Sequence, residues 1–140
     1  MPPKRSEPEK PLEQIVEEVG LYPIEAYIFV QKGLQYTVQK LRRQSTDSTA
    51  KRHVTGRELS EGLREYALLQ WGRLARLVLR RWNITRTEDF GRIVYALVES
   101  GYMSTSEEDT IDHFRNVYSF AQAFEDGYTF STSPPNSERK

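Results

Sequence analysis

Cysteine is absent from the 140 residues. Disulfides, a thiolate nucleophile and cysteine-ligated zinc or iron–sulfur clusters are therefore excluded. Long apolar runs are missing too, and none approaches the roughly 18 residues of a membrane span. The start, Met1-Pro2-Pro3-Lys4-Arg5, leads into charged residues rather than the apolar core of a signal peptide, so the expected compartment is the cytoplasm. There is no glycine-rich phosphate loop, no dinucleotide fingerprint, no nucleophile elbow and no His-Glu-x-x-His helix. Nothing in the sequence asks for a cofactor or a metal, and the reading favours a protein without catalysis.

Large apolar side chains are plentiful. Hydrophobic residues are 37% of the chain and include 8 Tyr, 6 Phe and 2 Trp, too much for a disordered chain and enough for one core. The formal charge of zero hides an uneven spread. Residues 1–39 carry 4 Lys/Arg against 6 Asp/Glu, residues 40–92 carry 13 against 6, and residues 93–140 carry 3 against 8. Such a basic middle suits an anionic partner; alternatively, the acidic last third folds against it.

Periodicity divides the chain into a polar lead (1–10), one helical domain (11–127) and a polar Ser/Pro tail (128–140). Leu12, Ile15, Val16 and Val19 share a helical face, and Gly20 stops it. Pro23 opens a long second helix on Tyr27, Val30, Leu34, Val38 and Leu41. Residues 44–50 read as a surface loop. Thr55-Gly56-Arg57-Glu58 is a capping box ahead of Leu59, Leu63, Tyr66 and Ala67, and Trp71-Gly72 predicts a bend. From Arg73 to Trp82 the pattern puts Leu74, Ala75, Val78, Leu79 and Trp82 on one arc. Arg73, Arg76, Arg80 and Arg81 fall on the other.

Asn83 suits a left-handed helix end, and Thr85-Arg86-Thr87-Glu88 reads as a second capping box before Phe90, Ile93, Val94, Leu97 and Val98. Gly101 closes that helix. Ser104-Thr-Ser-Glu107 offers a third box and a last helix to about Phe124 on Ile111, Phe114, Val117, Tyr118 and Ala121; a strand or hairpin through 114–120 is the alternative. The expected fold is all-α, a compact bundle of five or six helices.

Several blocks carry a resemblance: Arg52-His53-Val54-Thr55-Gly56-Arg57-Glu58-Leu59, Trp82-Asn83-Ile84, Thr87-Glu88-Asp89-Phe90-Gly91, and Asp112-His113-Phe114-Arg115-Asn116-Val117-Tyr118. In this order, from about Tyr22 to Phe124, they resemble a family of short uncharacterised proteins associated with planctomycete and verrucomicrobial bacteria. That family has no established activity, so the resemblance implies no site. Asn83 stands where the family tends to glycine, which fits the same left-handed helix end.

Candidate chemistry is sparse. His53 follows Lys51 and Arg52 and reads as a capping or packing histidine, with a general base as the alternative. Asp109 and His113 are four residues apart and on one helical face, but two ligands do not make a metal site. Asp89 with Glu99 has no spacing that supports paired-carboxylate hydrolysis.

The arginines are the candidate functional surface: Arg73, Arg76, Arg80, Arg81 and Arg86. One reading makes them part of a protein-interaction or adaptor module, supported by Tyr22, Tyr27, Phe29, Trp71, Trp82, Tyr102, Phe120 and Phe124, since Tyr, Trp and Arg anchor interfaces. The alternative is nucleic acid. Leu74–Trp82, a turn and Thr87–Ser100 ending in Gly101-Tyr102-Met103 resemble a helix-turn-helix with a following hairpin, as in winged-helix domains. Against it, the reading helix offers Glu88, Asp89, Arg92, Tyr95 and Glu99, where base edges call for Arg, Lys, Asn or Gln.

Overall fold

Helix boundaries follow the expected punctuation closely in the computed structural model, which describes residues 10–44, 54–104 and 111–126. α1 (Leu12–Val19) ends at Gly20, whose φ of 73° no β-carbon obstructs and whose N–H donates to the Val16 carbonyl. α2 (Ile24–Gln44) follows directly after Pro23. α3 (Gly56–Trp71) starts from the Thr55 box, with the Thr55 hydroxyl accepting from the Glu58 N–H at 3.0 Å and the Glu58 carboxylate accepting from the Thr55 N–H at 3.1 Å. Gly72 breaks that helix at φ 55° and opens a 3-10 turn, Gly72–Leu74, into α4 (Ala75–Arg81). Asn83 takes the left-handed conformation, φ 66°, and α5 (Thr87–Glu99) completes the five α-helices among the described residues. His53 and the 44–50 loop, apart from Gln44, lie outside them.

α2 and α3 form the broadest contact, and it is a close one. A β-carbon on Gly62 would stand 2.8 Å from Thr37 Cβ, and one on Gly33 would strike the Leu63 side chain. Buried Tyr27, Val30, Leu34, Leu59, Leu63 and Ala67 fill the space around this crossing. α5 closes the core with Phe90, Ile93, Val94 and Leu97, and packs on α1, α2 and α3. Side-chain ties reach across the sequence. The Asn83 amide donates to the Leu21 carbonyl at 3.1 Å, and the Tyr102 hydroxyl donates to the Lys10 carbonyl at 2.8 Å.

Two expectations are corrected. The capping box at Thr85–Glu88 does not form. Asp89 takes its place, accepting from the Thr85 N–H at 2.9 Å and the Arg86 N–H at 3.3 Å, because helix α5 begins one residue later than the Thr85 cap requires, which makes Asp89 rather than Glu88 the third helical residue. Neither a last helix nor a strand runs through 114–120; Thr105–Thr110 lie outside the described residues. Ile111–Phe114 is instead a 3-10 turn, the chain reverses at Asn116 (φ 48°), and a π-type turn follows at Ala121–Asp126.

The start of α5 explains this break. The Thr87 hydroxyl donates to the Phe114 carbonyl at 2.6 Å and accepts from the Val117 N–H at 3.0 Å, while Glu88 accepts from the Asn116 N–H at 3.2 Å. Backbone groups that a continuous helix would pair internally are spent on α5 instead. Phe114 is seated in a notch left by two missing side chains, since a β-carbon on Gly91 would lie 2.9 Å from Phe114 Cβ and one on Gly56 would lie 3.0 Å from its ring.

Candidate interaction surface

α4 rests on α3 and on the 121–126 turn, and only Ala75 and Leu79 of its seven residues are buried. The opposite side faces outward. Arg80 and Arg81 are exposed on α4 and Arg76 is half-buried, giving an outward basic strip that the exposed Arg73 adjoins from the preceding 3-10 turn. Arg73 and Arg76 already interact within the chain. Arg86 is exposed but stands at the start of α5, on a separate element.

The strip is not purely basic. Leu74 and Leu77 are 59% and 48% exposed, and Leu69, near the end of α3, is 68% exposed. Leu74, which the helical period assigns to the core arc, is turned out by the break at Gly72. The signal was present in the sequence, because a seven-residue helix carrying Leu77, Val78 and Leu79 in succession cannot point all three inward.

α5 does not offer a comparable strip. Its seven buried residues include Asp89, at 6% exposure, which the sequence reading had left on the outer face. Asp89 accepts from the Tyr22 hydroxyl at 2.5 Å and from the Arg92 guanidinium at 2.7 Å. Burial, then the Asp89 carboxylate, pushes the Tyr22 phenol up from its ordinary value. The helices on either side of the 82–86 turn share α3 as a neighbour and otherwise differ: α4 also meets the 121–126 turn, and α5 meets α1, α2 and the 111–114 turn. Among the described residues no strand follows Gly101.

Aromatic rings border the strip. Phe29 is buried with its ring centroid 5.4 Å from Trp71, 5.9 Å from Trp82 and 5.6 Å from Tyr66. Trp71 and Trp82, one on each side of α4 in the chain, meet edge to face at 5.4 Å and 82°. Tyr22, Tyr27, Phe120 and Phe124 belong to the core, while Tyr102 is half-buried.

Elsewhere the chain offers little for chemistry. No group of three His, Asp or Glu that could hold a metal occurs among the described residues, and Asp109 lies outside them. A recess of about 380 Å³ between α1 and α5 is rimmed by Lys10, Glu18, Glu99 and Ser100. Lys10 pairs with Glu18 at 2.6 Å, and hydrogen bonds from Lys10 and Gln14 hold the Glu18 carboxyl below the usual carboxylate range. No described helix is long and apolar enough to cross a membrane. Compared with known protein families, curated proteins and solved structures, the chain matches none.

Proposed function

We propose that this chain is a cytoplasmic, non-catalytic interaction module whose α4 strip binds an acidic, amphipathic segment of a partner protein. The observation that carries the reading is the exposure of Leu69, Leu74 and Leu77 among Arg73, Arg80 and Arg81. Exposed leucines release bound water when a partner covers them, and arginines close by in the chain select carboxylates and fix register. A phosphate backbone would use the arginines and leave the leucines wet. The groove-reading role asked of α5 is also poorly served, because most of that helix is enclosed.

The likeness to short planctomycete and verrucomicrobial proteins is part of the proposal and brings no activity with it. The separating experiment is fluorescence anisotropy over a salt series, with labelled duplex DNA, single-stranded DNA, RNA and an acidic amphipathic peptide. The peptide is expected to saturate and to be lost in Arg80→Glu/Arg81→Glu. Tighter, steeply salt-dependent capture of a nucleic acid would overturn the reading and establish its rival.

A further inference from the structure

A second recess lies between the start of α2 and the ends of α3 and α4, with a volume of about 210 Å³. Its floor is Phe29, and its walls include Trp71 and Trp82, whose rings stand nearly perpendicular to each other. Gln70 and Tyr66 line it on the α3 side. Trp71 and Trp82 each carry an indole N–H, so the residues lining this apolar corner include hydrogen-bond donors.

Charge brackets the recess. Glu25 and Lys32 both line it and both are exposed. Seven residues apart on α2, they are separated by about 10.5 Å of helix rise. In the polyproline II conformation, which rises about 3.1 Å per residue, that span corresponds to three or four residues.

We propose that this recess binds a proline-rich segment of another protein in the polyproline II conformation, with a basic residue of that segment at Glu25 and an acidic one at Lys32. Proline rings pack on flat aromatic faces and bring little conformational entropy to lose. The carbonyls of this conformation make no internal hydrogen bonds and are open to donors such as indole N–H and the Gln70 amide. A quaternary ammonium ligand is less well matched. Lys32 offsets the pull of Glu25 on such a cation, and Trp71 meets Trp82 edge to face without closing a box. This site uses no residue of the outward α4 strip, so it stands or falls independently of that strip.

Trp71 and Trp82 are the chain's 2 tryptophans, so fluorescence of the full chain excited selectively at tryptophan reports on this recess. The probe is a blocked peptide of three prolines with one arginine before them and one glutamate after them, which sets the two charges four residues apart. The expected result is a saturable change in emission that is absent when alanines replace the prolines. Trp82→Ala weakens binding by about ten-fold or more, read by calorimetry. Because that variant removes a packed ring, the decisive arm is the surface double variant Glu25→Lys/Lys32→Glu. It loses the original peptide and gains the one with its two charges exchanged. The proposal is overturned by no saturable change, by equal binding of the alanine peptide, by indifference to the charge exchange, or by tetramethylammonium saturating the signal at the same concentrations.

Discussion

The hydroxyl of Tyr22, at the entrance to α2, donates to the carboxylate of Asp89, in the first turn of α5, across a separation of 2.5 Å and 67 residues. The same carboxylate caps α5 and holds Arg92, so one buried acid joins the loop after α1 to the helix that closes the core. Tyr27 is also fully buried, yet its hydroxyl has no hydrogen-bond partner among the described residues. The two tyrosines should therefore respond oppositely to loss of their hydroxyls. Tyr22→Phe is expected to cost about 1–2 kcal/mol, whereas Tyr27→Phe is neutral or stabilising by up to about 1 kcal/mol. Urea denaturation of both variants checks this, and equal losses would show that the Tyr22 bond carries no special weight.

At the α2–α3 crossing, Gly62→Ala sets two effects of opposite sign against each other. Alanine in a helix interior gains about 1 kcal/mol over glycine. Here its methyl would meet Thr37, whose hydroxyl is already committed to the Gly33 carbonyl at 2.7 Å. Overpacking of this kind costs about 1–3 kcal/mol, so the net change is a loss. Combining it with Thr37→Ser, which removes a methyl at the contact, should restore part of that loss in chemical denaturation.

Alkali should expose a third feature. The Tyr36 phenol is pushed up to about 12, first by burial and then by donating to Glu65 at 2.9 Å. Tyr118 is raised as well, chiefly by burial; its hydroxyl donates to the Ser60 carbonyl at 2.5 Å and the Arg64 guanidinium lies 5.4 Å from its ring centre. A raised folded-state value means that the neutral phenol is favoured by folding. The contribution is complete below the unfolded value near 10 and is lost as pH rises through the folded one. Tyrosinate absorbance should therefore show late-titrating phenols, and stability should decline from about pH 10 upward. Tyr36→Phe is expected to flatten the part of that decline between about 10 and 12.

How far the sequence discloses this architecture depends on how local the deciding interactions are. The Thr55 box, the stop at Gly20, the bend at Gly72 and the left-handed Asn83 all concern a few adjacent residues, and each was legible. The stretch after Ser104 was not. Its apolar spacing fits a helix, but Thr87 and Glu88, some 27 to 30 residues earlier, capture its backbone groups. Asp89 was misread for the same reason, since its partner Tyr22 is distant in sequence. At the candidate surface the helical period puts Leu74 with the core, because it takes Arg73–Trp82 as one helix; the 3-10 turn at Gly72–Leu74 breaks that register and leaves Leu74 exposed.

The exposed leucines give a prediction that needs no partner. Leu74→Ser/Leu77→Ser removes exposed apolar area without opening a cavity, so unfolding stability should stay within about 0.5 kcal/mol of the parent. Leu79→Ala, two residues beyond Leu77 but fully buried, should cost about 2–5 kcal/mol. Equal losses from both would mean that Leu74 and Leu77 belong to the core.

The α4 strip itself is tested most directly by nuclear magnetic resonance of the isotope-labelled chain titrated with an acidic, amphipathic helical peptide. The account predicts saturable shifts at the amides of Leu74, Leu77, Arg80 and Arg81, little change in α1, and loss of the response in Leu74→Ser/Leu77→Ser. Shifts that avoid α4, or that persist undiminished in the leucine variant, would contradict it.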